Sequence, residues 1–268
     1  ALRKVGASAR PLLAQILIDQ TRPVEVRACV AQALDRPAYP EYVPSLLMAL
    51  DDPHPTIREG AAKALAHLQD PCTIEPLTRL LNDSDPRVVA AAITALTALR
   101  APGLVDTLIE LLSDPSSALT VSYHAIEGLQ ALGDPRALQP LLDAFWRPDN
   151  AQLVVRLSAA LTALNDAAIV EPLLEHLPGS SGLQRMRILE LLEHFQDARS
   201  VEPLLSLFNP HASGWSEIRF QARLVRLLAK LGDPRAIEPL RAGLSHASGD
   251  LHTALQDILE HLGAQVPG

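Results

Sequence analysis

Aromatic side chains are scarce in this sequence: Phe, Tyr and Trp together make up 3% of its 268 residues. A β-sandwich or β-barrel core leans on aromatic and β-branched residues, so the shortage argues against both. The 48% hydrophobic content is met instead by Leu, Ala, Val and Ile, which let helices approach closely. Only two cysteines occur, Cys29 and Cys72, too few for a disulfide framework and without metal-ligand spacing. Both are expected to be buried thiols in a reducing compartment. No apolar run reaches the ~18 residues needed to span a bilayer, and nothing at the start resembles a signal peptide, so a cytoplasmic location without a membrane partner is expected. Phosphate-binding loops (GxxxxGK), nucleophile elbows (GxSxG) and zinc motifs (HExxH) are all missing. The sequence therefore points away from an enzyme, and no residue is nominated for catalysis, metal binding or cofactor binding.

What the sequence does contain is repetition. LGDPRALQPL at Leu132–Leu141 returns as LGDPRAIEPL at Leu231–Leu240, ninety-nine residues later. A motif of an apolar residue, Pro and Leu, in places worn, centres on Pro11, Pro44, Pro76, Thr107, Pro140, Pro172, Pro203 and Pro239. Its spacings are 33, 32, 31, 33, 32, 31 and 36 residues, the length of a helix-pair repeat, and ninety-nine is three such periods.

Each unit reads as two helices, A and B. In GDPRALQPLLDAF, Asp134 can cap helix A and Pro135 sits in its first turn, where a missing N–H is harmless. Leu138, Leu141 and Leu142 recur at three and four residues and form one apolar stripe. Pro140 lies further in, and is expected to remove a backbone bond and bend the helix. A polar turn such as DDPHP at Asp51–Pro55 or NDSDP at Asn82–Pro86 then leads into helix B, as in TIREGAAKALAHL.

This pattern resembles the HEAT-like repeats of the phycobilisome-lyase type, whose units read roughly LGDPRAxxPLxxLLxDxxxxVRxxAAxAL. The likeness is carried by GDPRA at Gly133 and Gly232, EPL at Glu75, Glu171, Glu202 and Glu238, and AAKAL at Ala61. It implies an all-α fold: a right-handed, armadillo-like α-solenoid of about eight HEAT-like helix-pair repeats, A helices outside and B helices lining the concave side. No unit could bury its stripe alone. The expected organisation is the end of a truncated repeat at 1–7, one continuous solenoid at 8–262 and a tail at 263–268. ALRKVG at Ala1–Gly6 reads as the last turn of a helix whose start is missing, so a longer parent with domains N-terminal to this chain is expected. The last B helix, DLHTALQDILEHL, carries the extra polar residues of a terminal cap.

The resembled family contains bilin lyase subunits, an iron-dependent hydroxylase and plain scaffolds, so the likeness fixes fold before function. Its hydroxylase branch, deoxyhypusine hydroxylase, holds two irons with His-Glu dipeptides at repeated positions. This sequence contains no His-Glu dipeptide, and that reading is set aside. A bilin lyase-type or related chromophore-handling subunit is the alternative function. It would need stacking surfaces, and Tyr123 with His124, Trp146 and Trp215 are scattered over different units. The histidines have a plainer role. Two residues beyond the repeated B-helix leucines stand Lys4, Arg36, His67, His194, Lys230 and His261, in last turns where the helix dipole favours positive charge.

The B helices also carry an asymmetry of charge. Let Leu34, Leu65, Leu96, Leu129, Leu161, Leu192, Leu228 and Leu259 mark the inward direction; at 100° per residue, positions five before, two before and two after fall near the opposite face. These positions hold seven positive and three negative formal charges, a net +4, although the whole chain carries −8. The excess gathers in Arg156, Arg187, Arg223, Arg226 and Lys230. In the resembled family a Val-Arg pair braces the turn between helices, a role the resemblance implies for such a pair; Arg27 and Arg58 lie seven before their leucines, whereas Arg156 and Arg187 lie five before. Two residues rotate a side chain by about 200°. The rival reading makes Val155-Arg156, Met186-Arg187 and Ile218-Arg219 shifted copies of that structural pair.

The longest interval contains NPHASGWSE at Asn209–Glu217, which presents Trp215 as a possible loop anchor or as a side chain tucked onto its own loop. GSSG at Gly179–Gly182 reads as a plain turn. The expected function is a non-catalytic protein-interaction scaffold, with the basic stripe on the concave face engaging an acidic protein or peptide. A net charge of −8 and the lack of aromatic interleaving argue against nucleic acid.

Overall fold

The computed structural model describes residues 10–34, 39–147, 151–180, 182–247 and 249–261. The expected repeat remnant at 1–7 and the tail at 263–268 lie outside the described residues, as do Lys4 and Arg36. The described chain forms sixteen α-helices and no strand. None of these helices is long and apolar enough to cross a membrane. Two compact units divide it, 1–144 and 145–268.

In the first unit the B helices are α2 (Val24–Leu34), α4 (Pro55–Leu68), α6 (Pro86–Ala98) and α8 (Leu119–Leu132), each packed on the next. The A helices α1 (Arg10–Ile18), α3 (Val43–Ala49), α5 (Ile74–Arg79) and α7 (Leu104–Ser113) back them one for one. The ninth helix, α9 (Leu138–Trp146), ends across the division at 144. In the second unit α10 (Ala151–Leu164), α12 (Gly182–Phe195), α14 (Trp215–Leu231) and α16 (Gly249–His261) form the B layer. Here α11 (Val170–His176), α13 (Val201–Ser206) and α15 (Ile237–Leu244) supply the A side.

The repeated leucines do what their spacing predicts. All eight, from Leu34 to Leu259, are at most 1% exposed. Burying one leucine side chain is worth roughly 1.5–3 kcal/mol, so this single column is a large share of the drive to stack. Alanines fill the remaining B-helix seams in the first unit, where Ala61, Ala62, Ala92 and Ala95 are fully buried.

Helix A departs from the expected form. Asp134 caps a 3-10 turn, Pro135–Ala137, by accepting from the Arg136 backbone N–H at 2.9 Å, and the α-helix starts only at Leu138. Asp70, Asp166, Asp197 and Asp233 cap equivalent turns. Pro140 is thus the third residue of α9, as Pro172, Pro203 and Pro239 are the third residues of α11, α13 and α15. Each ring stands in the first α-helical turn, where the chain passes from tight-turn to α-helical bonding, and it does not bend the helix from within as expected. The two cysteines also differ from expectation: Cys29 and Cys72 are both exposed. Cys29 is five before its leucine, a position that the 100° periodicity itself turns away from the core, and Cys72 lies in a capped turn.

Candidate functional site

In four of the eight B helices, α2, α4, α12 and α14, the position seven before the leucine forms a structural ladder. Arg27 on α2 is buried at 4% exposure and ion-pairs with buried Asp52, in the turn before α4. Arg58 on α4 makes a bidentate pair with Asp83 in the turn before α6, Nε and Nη2 each donating at 2.7 Å, and its Nη1 donates to the Asp52 carbonyl at 2.9 Å. Those hydrogen bonds hold the Asp83 carboxyl below its usual range. The second unit keeps the position with other residues. Arg185 on α12 donates to Glu217 in the first turn of α14 at 2.7 Å and lies over the Phe220 ring, 3.3 Å from its centroid. Gln221, 1% exposed, donates to the Leu207 carbonyl at 3.1 Å and accepts from the Asn209 N–H at 2.9 Å, closing the long turn before α14.

The other three columns separate by exposure. Two before the leucine, Gln32, Lys63, Thr94, Glu127, Ala159, Arg226 and Asp257 are exposed and Glu190 is half-buried. Two after, every residue whose side chain is described is exposed, His67, His194 and Lys230 among them; the His261 side chain lies outside the description. Five before, the column changes along the chain. Gly60, Ala91 and Ala254 are buried, so this position is a seam between neighbouring helices and not uniformly an outer face. Arg156 is exposed on α10, Arg187 and Arg223 half-buried on α12 and α14.

The basic residues of α12 and α14 do not stand alone. Arg187 pairs with Glu190 one turn on. Arg223 pairs with Glu193 at 2.7 Å and approaches Glu190 at 3.9 Å, and Lys230 also pairs with Glu193. The Lys230 hydrogen bond, outweighing partial burial and helped by Arg223, holds the Glu193 carboxyl below its usual range. The spacing argument missed this glutamate, which stands one residue after Leu192 and reaches two cations of the next helix. It also passed over Arg219. That residue, assigned by the rival reading to the structural pair, is exposed instead. Among the described residues no carboxylate lies within ion-pair distance of Arg219 or Arg226.

Two adjoining grooves result on the B layer. The one between α12 and α14, of about 570 Å³, is lined by Leu183, Met186, Arg187, Trp215, Arg219 and Arg223. The next, of about 350 Å³ between α14 and α16, shares Met186, Arg219 and Arg223 and adds Arg226, Asp250 and Asp257. Trp215 is the first residue of α14, 69% exposed, and lines the first groove; it is not tucked onto its own loop. Exposed Leu183 lines the same groove. The other tryptophan, Trp146, stacks on His176 with ring centroids 4.0 Å apart.

Stacked helix pairs with a shared leucine core make this an all-α repeat protein, an α-solenoid. A family model of HEAT repeats matches residues 10–97 and 74–165, together more than half of the chain, and one of the PBS lyase HEAT-like repeat matches residues 220–246. The chain belongs to the HEAT-repeat family. It is similar to a chain from the complex of CpcE and CpcF of phycocyanin lyase from Nostoc sp. PCC7120, at 21% identity, a TM-score of 0.50 and 97% coverage of each chain. An engineered protein is similar at 18% identity and a TM-score of 0.50, over 93% of this chain and 78% of that one. Human deoxyhypusine hydroxylase in complex with glycerol aligns at 19% identity and a TM-score of 0.41, over 94% and 95%. At these identities the likeness concerns the fold alone. No curated protein matches the chain.

Proposed function

We propose that the chain is a non-catalytic protein-binding module whose B layer in the second unit engages an acidic partner through Arg156, Arg187, Arg223, Arg226 and Lys230. One observation carries the reading: on α12 and α14 the position seven before the leucine is already filled by Arg185 and Gln221, so Arg187 and Arg226 are not needed to brace the turns, while Arg223 and Lys230 also bridge to Glu193 of α12. They stand at or near the surface of a molecule whose net charge is −8. Charge-assisted pairs to carboxylates are the interaction such guanidinium groups form best. A chromophore-handling role has no comparable support, since Trp146 is already stacked on His176 and Trp215 belongs to a different helix pair.

Titration of the intact chain with polyglutamate of about twenty residues, followed by calorimetry at low and high salt, tests the proposal. Binding is expected that weakens with salt and is lost when the five basic residues are changed together to Gln, with the helical signal retained. Binding that is absent, or indifferent to those five changes, would overturn it.

A further inference from the structure

The cations of the second unit are not spread evenly over the B helices. Trp215, Arg219, Arg223, Arg226 and Lys230 follow one another on α14 at spacings of four, four, three and four residues. At 100° per residue this is one face of one helix, and at 1.5 Å per residue it is about 22 Å long. Its members are in different states. Arg223 and Lys230 are held by Glu193 of α12. Arg219 and Arg226, seven residues apart, have no carboxylate in pairing distance among the described residues, and Trp215 caps the N-terminal end fully in view.

Resting on the acidic-partner reading above, we infer that α14 is a linear recognition stripe for a single extended peptide segment lying along the helix axis, its apolar side chain against Trp215, Leu183 and Met186 and its carboxylates on Arg219 and Arg226. An extended chain advances about 3.3 Å per residue. Arg219 lies about 6 Å along the helix from Trp215, and Arg226 about 16 Å. The segment therefore carries acidic residues about two and about five positions from the apolar one. Arg223 and Lys230, already neutralised, hold α12 against α14 and keep the stripe straight.

The flanks decide between occupants. Glu190 and Glu193 stand on one side of the stripe, and Asp250 and Asp257 line the groove on the other. A nucleic acid, with a phosphate on every residue and a wide backbone, would meet these carboxylates. A peptide with two spaced charges and one apolar anchor need not. The pattern also separates this arrangement from a segment crossing the B helices, which would use Arg156 and Arg187.

The test uses the intact chain and blocked eight-residue peptides: one leucine with glutamates two and five residues beyond it, the same order reversed, and a scramble with the glutamates adjacent. Tryptophan fluorescence reads the titration, because Trp215 is exposed and Trp146 is already stacked. One chain direction is expected to bind more tightly than the scramble. Arg219→Gln and Arg226→Gln by fluorescence, and Trp215→Ala by calorimetry because it removes the reporter, are each expected to weaken it about tenfold, the scale of one lost charge-assisted or anchoring contact. A loss in Arg156→Gln with none in Arg219→Gln and Arg226→Gln overturns the stripe and leaves the broader acidic-partner reading standing. Failure of every peptide while polyglutamate binds does the same. Failure of polyglutamate as well, or tighter binding of an oligothymidine than of any peptide, overturns both.

Discussion

Two stretches of the B layer, α4 with α6 in the first unit and α12 with α14 in the second, are built from the same helix pair yet treat one position in opposite ways. Five residues before the buried leucine, α4 and α6 have Gly60 and Ala91 buried between B helices, while α12 has Arg187 paired with Glu190 along its own helix and α14 has Arg223 reaching across to Glu193. A Cβ added at Gly60 would stand 2.7 Å from the Ala31 Cβ, so α2 and α4 meet almost at backbone contact. In the second unit the gap between α12 and α14 is wide enough for a groove of about 570 Å³. The fold therefore does not require a closed B layer. Small residues close it, and paired charges hold it open with a usable surface.

That difference predicts that the two units respond unequally to loss of an arginine. Arg27→Met removes the partner of buried Asp52 and is expected to cost about 3–5 kcal/mol, since an unpaired buried carboxylate remains. Arg187→Met, on a side chain 30% exposed with a partner 36% exposed, is expected to change stability by less than about 0.5 kcal/mol. Urea unfolding of the two variants checks both numbers, and equal losses would dissolve the distinction between ladder and surface arginines.

A second experiment transplants the surface residue. Gly60→Arg places at the tight seam the side chain that α12 carries at its equivalent position. The Ala31 Cβ, at 2.7 Å from the new Cβ, belongs to backbone-fixed atoms and cannot swing aside. Overpacking of this kind costs roughly 1–3 kcal/mol. The reverse change, Arg187→Gly, should cost less than that, about the 1 kcal/mol of a glycine within a helix.

The period and the eight buried leucines were legible in the sequence because each depends on spacing along one helix, and the bracing role of Arg27 and Arg58 came from the family resemblance. What lay beyond reach depends on two helices at once. Whether the five-before position is open or closed is set by the distance between neighbours, so Gly60 and Arg187 occupy the same register and different environments. Glu193 was invisible for the same reason: it neutralises Arg223 and Lys230 from the adjacent helix, thirty and thirty-seven residues away. Pro140 was misplaced by three residues' worth of tight turn, because a 3-10 turn and the first turn of an α-helix share one sequence signal, Asp-Pro. Trp215 was assigned to a loop because the longest interval has its excess there, whereas Gly214 sits at the N-cap and α14 begins at Trp215 itself.

Acid should act on the ladders of both units in the same direction. Asp83 is held below the usual range by the hydrogen bonds from Arg58. Glu217 is pushed up by partial burial, but hydrogen bonds from Gln221 and Arg185 outweigh it and leave its carboxyl low. A carboxylate depressed in the folded state contributes in full above its unfolded value of about 4 and loses that contribution as the pH falls through the folded value. The unfolding midpoint is expected to drop between about pH 4 and pH 2, and less steeply in Arg58→Gln and Arg185→Gln. A midpoint independent of pH in that window would deny the ladder its part in stability.

The smallest effect is one the units should share. Their B helices end on a residue in the left-handed region, Gly133 and Gly232 at φ 66° and 65° but Gln69 and Gln196 at 50° and 49°. A side chain there costs about 1–2 kcal/mol of local strain, which glycine avoids. Glycine loses part of that advantage to its freer unfolded chain. Gln69→Gly in the first unit and Gln196→Gly in the second are each expected to gain a net of about 0.5–1 kcal/mol in urea unfolding. The helix end, unlike the seam, is closed by its own last turn and answers to no neighbouring helix. Unequal gains would mean that packing between helices reaches even this position.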